Sequence, residues 1–261
     1  MFFVSIIYHA TGIVLSSHGH READRWFSVF TREFGKIEAV GRGAFKPLAK
    51  LSPHLEMPAV LELMIVRGHQ HDIIAGVERR QIFPTLRDRF SSLILAQSAL
   101  HLLDIGTRPH EADHVLYDEL VAWLSFLNQS PAFSPERAGF LLGSFALKLL
   151  ALIGYRPELN RCLMCKKPIE PGKYRWHALR GGVACEACAA KDQEQWFSAK
   201  ELPEDVLKLM RFGLSEPFEA QTRPHLPGEA LLGFHEAIES LMVSHFPTIP
   251  ANSLRAACSV C

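Results

Sequence analysis

Short apolar runs broken by glycine, proline and histidine fill the first third of the chain, and long helical periods fill most of the rest. From Tyr8 to about Phe83 five runs stand out: Gly12 to Ser16, Trp26 to Thr31, Gly35 to Val40, Ala59 to Arg67 and His71 to Arg79. They are rich in Val, Ile and Phe, and none sustains a 3.6-residue period long enough to make a helix. The apolar opening from Met1 to Ile7 lacks a basic flank and soon turns to Tyr8-His9-Ala10-Thr11-Gly12, so it reads as a strand and not as an export signal. Five short strands predict a small barrel, for which the oligonucleotide-binding (OB) fold is the natural candidate.

After Pro84 the texture becomes helical. One helix is expected from Arg87 to Leu103, ending near Gly106 and Pro109, and a second from Glu111 to Leu127. A third begins with Ser134 as N-cap and Pro135 in the first position and runs to a stop at Gly154. Two more are expected at Pro203 to Phe212 and Gly228 to Phe246. The expected class is therefore α+β: an N-terminal OB-fold β-barrel over 1–83, then an α-helical domain over 84–261 that carries a zinc-binding segment at 155–195. Internal repeats and low-complexity linkers are absent, so barrel and helices are expected to pack together.

The zinc expectation comes from two Cys-x-x-Cys pairs, Cys162/Cys165 and Cys185/Cys188, with nineteen residues between them. Each pair can close a turn whose sulfurs converge, and the spacing suits one tetrahedral zinc. Two disulfides or a redox pair are the competing readings. Disulfides belong to cysteine-dense secreted chains, whereas residues 1–161 hold no cysteine. One structural Zn2+ is expected, without catalysis, because four sulfurs leave no open position for water. Cys258 and Cys261 lack a partner pair and read as exposed thiols in a frayed tail.

Composition changes the picture in one respect. The 261 residues are 48% hydrophobic, ample for one large or two modest domains, but 28 basic residues balance 28 acidic ones. A polyanion must therefore be held by local patches, not by a global field. One such patch is the zinc segment, where Arg161, Lys166, Lys167, Lys173, Arg175 and Arg180 stand against Glu170. Four thiolates around Zn2+ carry about −2, so part of this excess offsets the cluster and the rest is free to meet phosphate. The longest apolar stretch, Ala138 to Ile153, contains Lys148 and reads as too short to span a bilayer. A cytoplasmic protein without membrane contact is expected.

Two blocks of sequence carry a family likeness. The first comprises Thr11-Gly12-Ile13-Val14-Leu15, Arg21-Glu22-Ala23-Asp24-Arg25 and Phe30-Thr31-Arg32-Glu33-Phe34-Gly35-Lys36, then Gly41-Arg42-Gly43-Ala44 and Leu61-Glu62-Leu63. The second comprises Gly154-Tyr155-Arg156-Pro157-Glu158-Leu159, leading into Cys162, and Gly181-Gly182-Val183-Ala184-Cys185-Glu186-Ala187-Cys188. Together they resemble the RecO family of bacterial recombination and repair mediators, in its zinc-bearing version. The resemblance implies an OB fold and a helical domain, and binding of single- and double-stranded DNA with annealing of complementary strands. It also implies work with RecR, contact with the C-terminal tail of single-stranded DNA-binding protein, help in loading RecA, and a place in the nucleoid. Where the family usually sets adjacent Arg and Lys after the Gly43-Ala44 position, this chain has Phe45, with Lys46 and Lys50 spread apart.

Arg32, Lys36, Arg42, Lys46 and Lys50, against Glu33 and Glu38, form the candidate phosphate patch of the barrel. Such contacts give affinity without sequence preference. The glycines flanking Arg42 would let a strand come close, and Phe45 would offer a stacking face, or else fill the core. With Lys166, Lys167, Lys173 and Arg175 of the zinc segment, these are the expected DNA-binding residues. Partner tails would use an apolar groove of the helical domain beside a basic residue, with Arg87, Arg89 and Lys148 as candidates. His18 and His20, and His69 and His71, read as turn histidines; Glu22 and Asp24 read as turn or ion-pair carboxylates. His20-Arg21-Glu22 spells the His-x-Glu of zinc deaminases, but Arg161 and not proline precedes Cys162. Gly41-Arg42-Gly43 lacks the phosphate-loop pattern of ATPases. A non-enzymatic DNA mediator is the reading; the rival is a zinc-stapled interaction scaffold or transcription-type factor with little DNA affinity.

Overall fold

The computed structural model describes residues 6–20, 24–43, 55, 58–68, 70–172, 174–249 and 254. The chain divides into two compact units, Met1–Ser130 and Pro131–Cys261.

The first unit is built on a closed five-stranded barrel in the order β1-β2-β3-β5-β4, with β1 Ile7–Gly19, β2 Arg25–Thr31, β3 Gly35–Gly41, β4 Ala59–Val66 and β5 Asp72–Ile82. β1 is far longer than its expected core of Gly12 to Ser16, because one strand serves two partners. Its first half pairs with β4 (Ile7 with Val66 through Gly12 with Leu61) and its second with β2, across a bulge between Val14 and Ser16. The bulge bends the strand, as closure of so small a barrel requires. A short parallel pairing of β3 with β5, Ala39 with Asp72 and Val40 with Ile73, shuts the cylinder. Ala10, Phe27, Val29, Ile37, Leu61, Leu63 and Ile65 fill it. This is the OB-type arrangement read from the strand pattern.

After the barrel this unit carries α1 Thr85–Asp88, α2 Phe90–Gly106 and α3 His114–Gln129. The single helix expected from Arg87 is broken at Arg89, whose backbone is extended and whose guanidinium donates to the Ser130 carbonyl. α3 starts later than Glu111 because Asp113 caps it, accepting from Leu116 N–H at 2.9 Å. Near the C-terminal end of α2, Asp104 ties helix to barrel. Its carboxylate accepts from Ser16 Oγ at 2.6 Å and Ser28 Oγ at 2.7 Å and lies 3.6 Å from Lys36 Nζ, which also donates to the Asp104 carbonyl. Asp104→Ala strands two hydroxyls and takes the counter-charge from an ammonium whose side chain is only 12% exposed. It is expected to cost about 2 to 4 kcal/mol, read as a shift of the denaturant midpoint at unchanged m.

In the second unit α4, Pro135–Leu150, forms the centre and leads into a π-helical turn, Ala151–Tyr155. Ser134 caps it and Pro135 occupies its first turn as expected. Over Pro135–Tyr155 this segment is 21 residues long with a mean hydropathy of 1.7, which is long and apolar enough to cross a bilayer; the shorter span read from the sequence is corrected here. What assigns it to a core is burial: 67% of that window is covered by α7, Glu204–Ser215, α8, Gly228–His245, and their neighbours. The helices approach closely at Gly143, where a Cβ would stand 2.6 Å from Phe234 Cε1. Between α4 and α7 lies a small module: β6 Tyr174–His177, β7 Gly182–Cys185, α5 Glu186–Lys191, α6 Gln193–Trp196 and β8 Lys200–Leu202, the sheet running β7-β6-β8.

Candidate metal centre and nucleic-acid surface

The module brings the two cysteine pairs together. Leu163 N–H donates to the Val183 carbonyl and Val183 N–H to the Glu158 carbonyl, which lays the first turn beside β7. That turn is closed by Cys162 N–H to the Lys167 carbonyl, 2.9 Å, and Lys166 N–H to the Cys162 carbonyl, 3.0 Å, with Lys166 in the left-handed region at φ +61°. The second pair sits where β7 ends and α5 begins: Cys185 is the residue before the helix and Cys188 lies in its first turns. The four sulfurs lie within 4.8 Å of one another. A tetrahedron with metal–sulfur bonds of about 2.3 Å has edges of about 3.8 Å, so the set fits a metal after a small contraction.

Electrostatics point the same way. Burial opposes ionisation of Cys162, but backbone N–H groups of Cys165, Cys185 and Met164 outweigh it and hold the thiol down at about 6. Cys188 is pushed up to about 12, first by its hydrogen bond with Cys185, then by burial and the remaining sulfurs. Four sulfurs so close cannot all be thiolates unless a cation stands among them. Cys162 is buried, packed with Ala184, Ala189 and Trp196, whereas Cys165 is exposed. The centre is thus part of the module's core on one side and open to solvent on the other.

The expected DNA-binding residues fall into two sets, one in each unit. On the barrel, Arg42 is exposed on the turn after β3. Arg32 is also exposed but pairs with Asp118 at 3.0 Å and lies over the Tyr117 ring at 5.9 Å. Lys36 is turned inward to Asp104, a pairing the sequence does not announce because the partners stand 68 positions apart. On the metal module, Lys166 and Lys167 are exposed on the first turn, and Arg175 is half-buried on β6 opposite Ala184 and Glu201. Arg180 lies over the Trp196 ring at 5.6 Å and donates to Gln195. Lys46, Lys50 and Lys173 lie outside the described residues, as do Arg21, Glu22, Phe45, His69, Cys258 and Cys261.

Sequence reading missed a group of rings on the barrel. Trp26, the second residue of β2, is flanked by His18, His20 and His71, and Arg67 stands exposed just past the end of β4. A lone tryptophan beginning a strand was the only available signal; His18 lies in β1 and not in a turn, and that the end of β1 and the segment before β5 converge on the indole follows from barrel closure.

The sequence matches two family models, described as Recombination protein O N terminal over residues 5–83 and Recombination protein O C terminal over residues 87–236. Among similar curated proteins, each named DNA repair protein RecO, that of Symbiobacterium thermophilum is 27% identical over 240 residues, covering 91% of this chain and 92% of the relative. That of Desulfitobacterium hafniense is 29% identical over 202 residues, covering 75% and 71%. That of Cutibacterium acnes is 31% identical over 187 residues, covering 69% and 74%. With both halves matched in order, and a barrel followed by helices and a four-sulfur cluster in the structure, the chain belongs to the RecO family of DNA repair proteins.

Proposed function

We propose that this chain is a non-enzymatic mediator that binds single- and double-stranded DNA and anneals complementary strands. With RecR it helps to load RecA on DNA coated by single-stranded DNA-binding protein, whose C-terminal tail it contacts; its place is the cytoplasm, at the nucleoid. By class of secondary structure we assign a barrel domain, 1–83, and a helical domain, 84–261, although α1 to α3 belong to the same compact unit as the barrel. One Zn2+ held by Cys162, Cys165, Cys185 and Cys188 is structural, fixing the turn that carries Lys166 and Lys167. When bound it offsets about half of the charge of the four thiolates and supplies no chemistry to the DNA.

The observation that carries this reading is the exposure of basic side chains on turns in both units: Arg42 on the barrel, Lys166 and Lys167 on the metal module. In the module the nearby acid Glu158 is occupied, its carboxylate accepting from the N–H groups of Asn160 and Arg161 at 2.8 and 3.0 Å. Positive turns hold two phosphodiester backbones, reduce their repulsion and leave the bases to pair. Lys46, Lys50, Lys173, Arg175 and Arg32 extend the two patches in this proposal, whereas Lys36 serves to join helix and barrel.

Fluorescence anisotropy of a labelled single strand across salt tests it. The expected result is a negative log–log slope equivalent to several phosphates. A triple reversal, Arg42→Glu with Lys166→Glu and Lys167→Glu, is expected to flatten that slope by about two to three and to slow annealing, with metal content unchanged. Binding that is absent even at low salt sinks the proposal. It would favour the interaction scaffold instead, a reading supported by the ion pairs that occupy Arg32 and Lys36.

A further inference from the structure

Of the four tryptophans, Trp123, Trp176 and Trp196 are 0, 3 and 4% exposed, whereas Trp26 is partly exposed on the outside of the barrel. Strand alternation sets its direction, since Phe27 and Val29 point into the barrel core. Cross-strand pairing then assembles rings around it. Trp26 pairs with His18 on β1 and with Val40 on β3, and Val40 pairs with Ile73 on β5, which places His71 alongside. Ring centroids of His20, His71 and His18 lie 5.2, 5.3 and 6.4 Å from the indole, and His20 and His71 are 5.7 Å apart.

Trp26 and His71 open onto a surface cleft of about 370 Å³ that is also lined by Arg67, Gln70, Glu38 and His110. The imidazoles do not make a metal site: among the described residues, the cysteine cluster is the set whose ligand atoms converge. Nor is the cleft a seat for phosphate, because Glu38 and Asp72 place carboxylates at its wall, the latter accepting from the Tyr8 hydroxyl. Cations stand at its margins instead. Arg67 follows the last residue of β4, and Arg42 lies two residues beyond Val40, at the same end of the barrel.

We propose that this cleft receives one unpaired nucleobase of a single strand, stacked on the Trp26 indole with His71 and His20 beside it, while Arg42 and Arg67 take the flanking phosphates. Flat aromatic faces hold bases without regard to sequence, and a base can reach such a face only when it has left its own stack. Glu38 and Gln70 supply hydrogen-bonding groups for the base edge. The cleft would therefore distinguish single strands from duplex, which uniform phosphate contacts cannot do. This inference rests on the DNA-binding reading above and deepens it.

Trp26 is its own reporter, because the other three tryptophans are buried. Titrating the full chain with oligothymidylate is expected to quench its emission saturably, whereas an abasic oligonucleotide of equal length and charge is expected to bind more weakly without that quenching. Trp26→Ala is expected to weaken oligothymidylate about tenfold, equivalent to about 1.4 kcal/mol, and the abasic strand less than about twofold. His71→Ala, which spares the indole, is expected to give a smaller loss of about threefold for the base-bearing strand only. Equal affinity of wild-type protein for the two strands overturns the inference even if both bind well, and that comparison decides the matter should the alanine variants misfold. Oligothymidylate affinity unmoved in a folded Trp26→Ala protein also overturns it. Failure of both strands to bind at low salt removes the DNA-binding reading together with this one.

Discussion

Cys162→Ala is expected to abolish metal binding and to unfold the module around it, with the largest loss of stability of any single substitution considered. Two contributions add. A four-sulfur site holds its metal with an apparent folding contribution of about 10 to 16 kcal/mol, an upper guide because three sulfurs retain part of it. Cys162 is also 1% exposed within the cluster of Ala184, Ala189 and Trp196, so trimming it leaves a void and removes the acceptor of the Cys185 N–H, 3.4 Å away. Cys165→Ala separates the two terms, since Cys165 is exposed and its loss removes a ligand without opening the core.

Metal analysis and thermal melts of both variants check this: each should lack metal, and Cys162→Ala should melt lower. The pH dependence has a definite sign. Bound sulfurs are thiolates, which is equivalent to folded-state values lying below unfolded ones. The contribution is thus present at neutral and higher pH and is lost as acidification lets protons displace the metal. Wild-type protein purified under reducing conditions without stoichiometric metal, yet with a cooperative melt that Cys162→Ala leaves in place, would remove the centre from the account.

Gly35→Ala is expected to destabilise the first unit by about 3 to 5 kcal/mol, lowering its melting temperature by on the order of 10 °C. Gly35 closes the turn from β2 to β3 at φ +67°, where Thr31 Oγ1 accepts from Phe34 N–H at 3.1 Å and donates to the Gly35 carbonyl at 2.8 Å. A Cβ there would stand 2.1 Å from the Glu111 carbonyl oxygen and 2.4 Å from its carbon. Both are backbone atoms and cannot rotate aside. Relief requires the segment before α3 to lift away, breaking the His110 N–H to Lys36 carbonyl bond and the bridge of Lys36 with Pro109. Gly154→Ala calibrates the strain alone: its φ is +98° but no atom lies within 4 Å of the added methyl, so about 1 to 2 kcal/mol is expected. Circular-dichroism melts that put Gly35→Ala no lower than Gly154→Ala would show that the contact with Glu111 yields freely.

Much of this architecture was legible before any coordinates. The strands over Trp26–Thr31, Gly35–Val40 and Ala59–Arg67 fall within a residue or two of the observed ends, since Gly, Pro and charged residues punctuate them. Ser134-Pro135 marked the start of α4 because both residues act locally, Ser134 by accepting from the Arg137 N–H and Pro135 through its own fixed φ. The short elements of the metal module were not legible. β6 to β8 and α5 and α6 are three to six residues each, too brief for any period to register, and they are held by the sulfur cluster and by Trp176 and Trp196.

The division is one of range. Sequence alone determined the class of fold and the four candidate ligands, because strand alternation, helix caps and Cys-x-x-Cys turns are properties of neighbours along the chain, and it gave the family through the likeness of two sequence blocks. Tertiary structure decided which charges are spoken for and which rings meet. Lys36 is claimed by Asp104 and Arg32 by Asp118, partners 68 and 86 positions away, while Lys166, Lys167 and Arg42 stay exposed. Barrel closure carries His18, His20 and His71 to the one partly exposed indole. An ammonium or an imidazole is chemically the same in either setting; only the position of distant residues determines whether it is committed inside the protein or presented to a ligand.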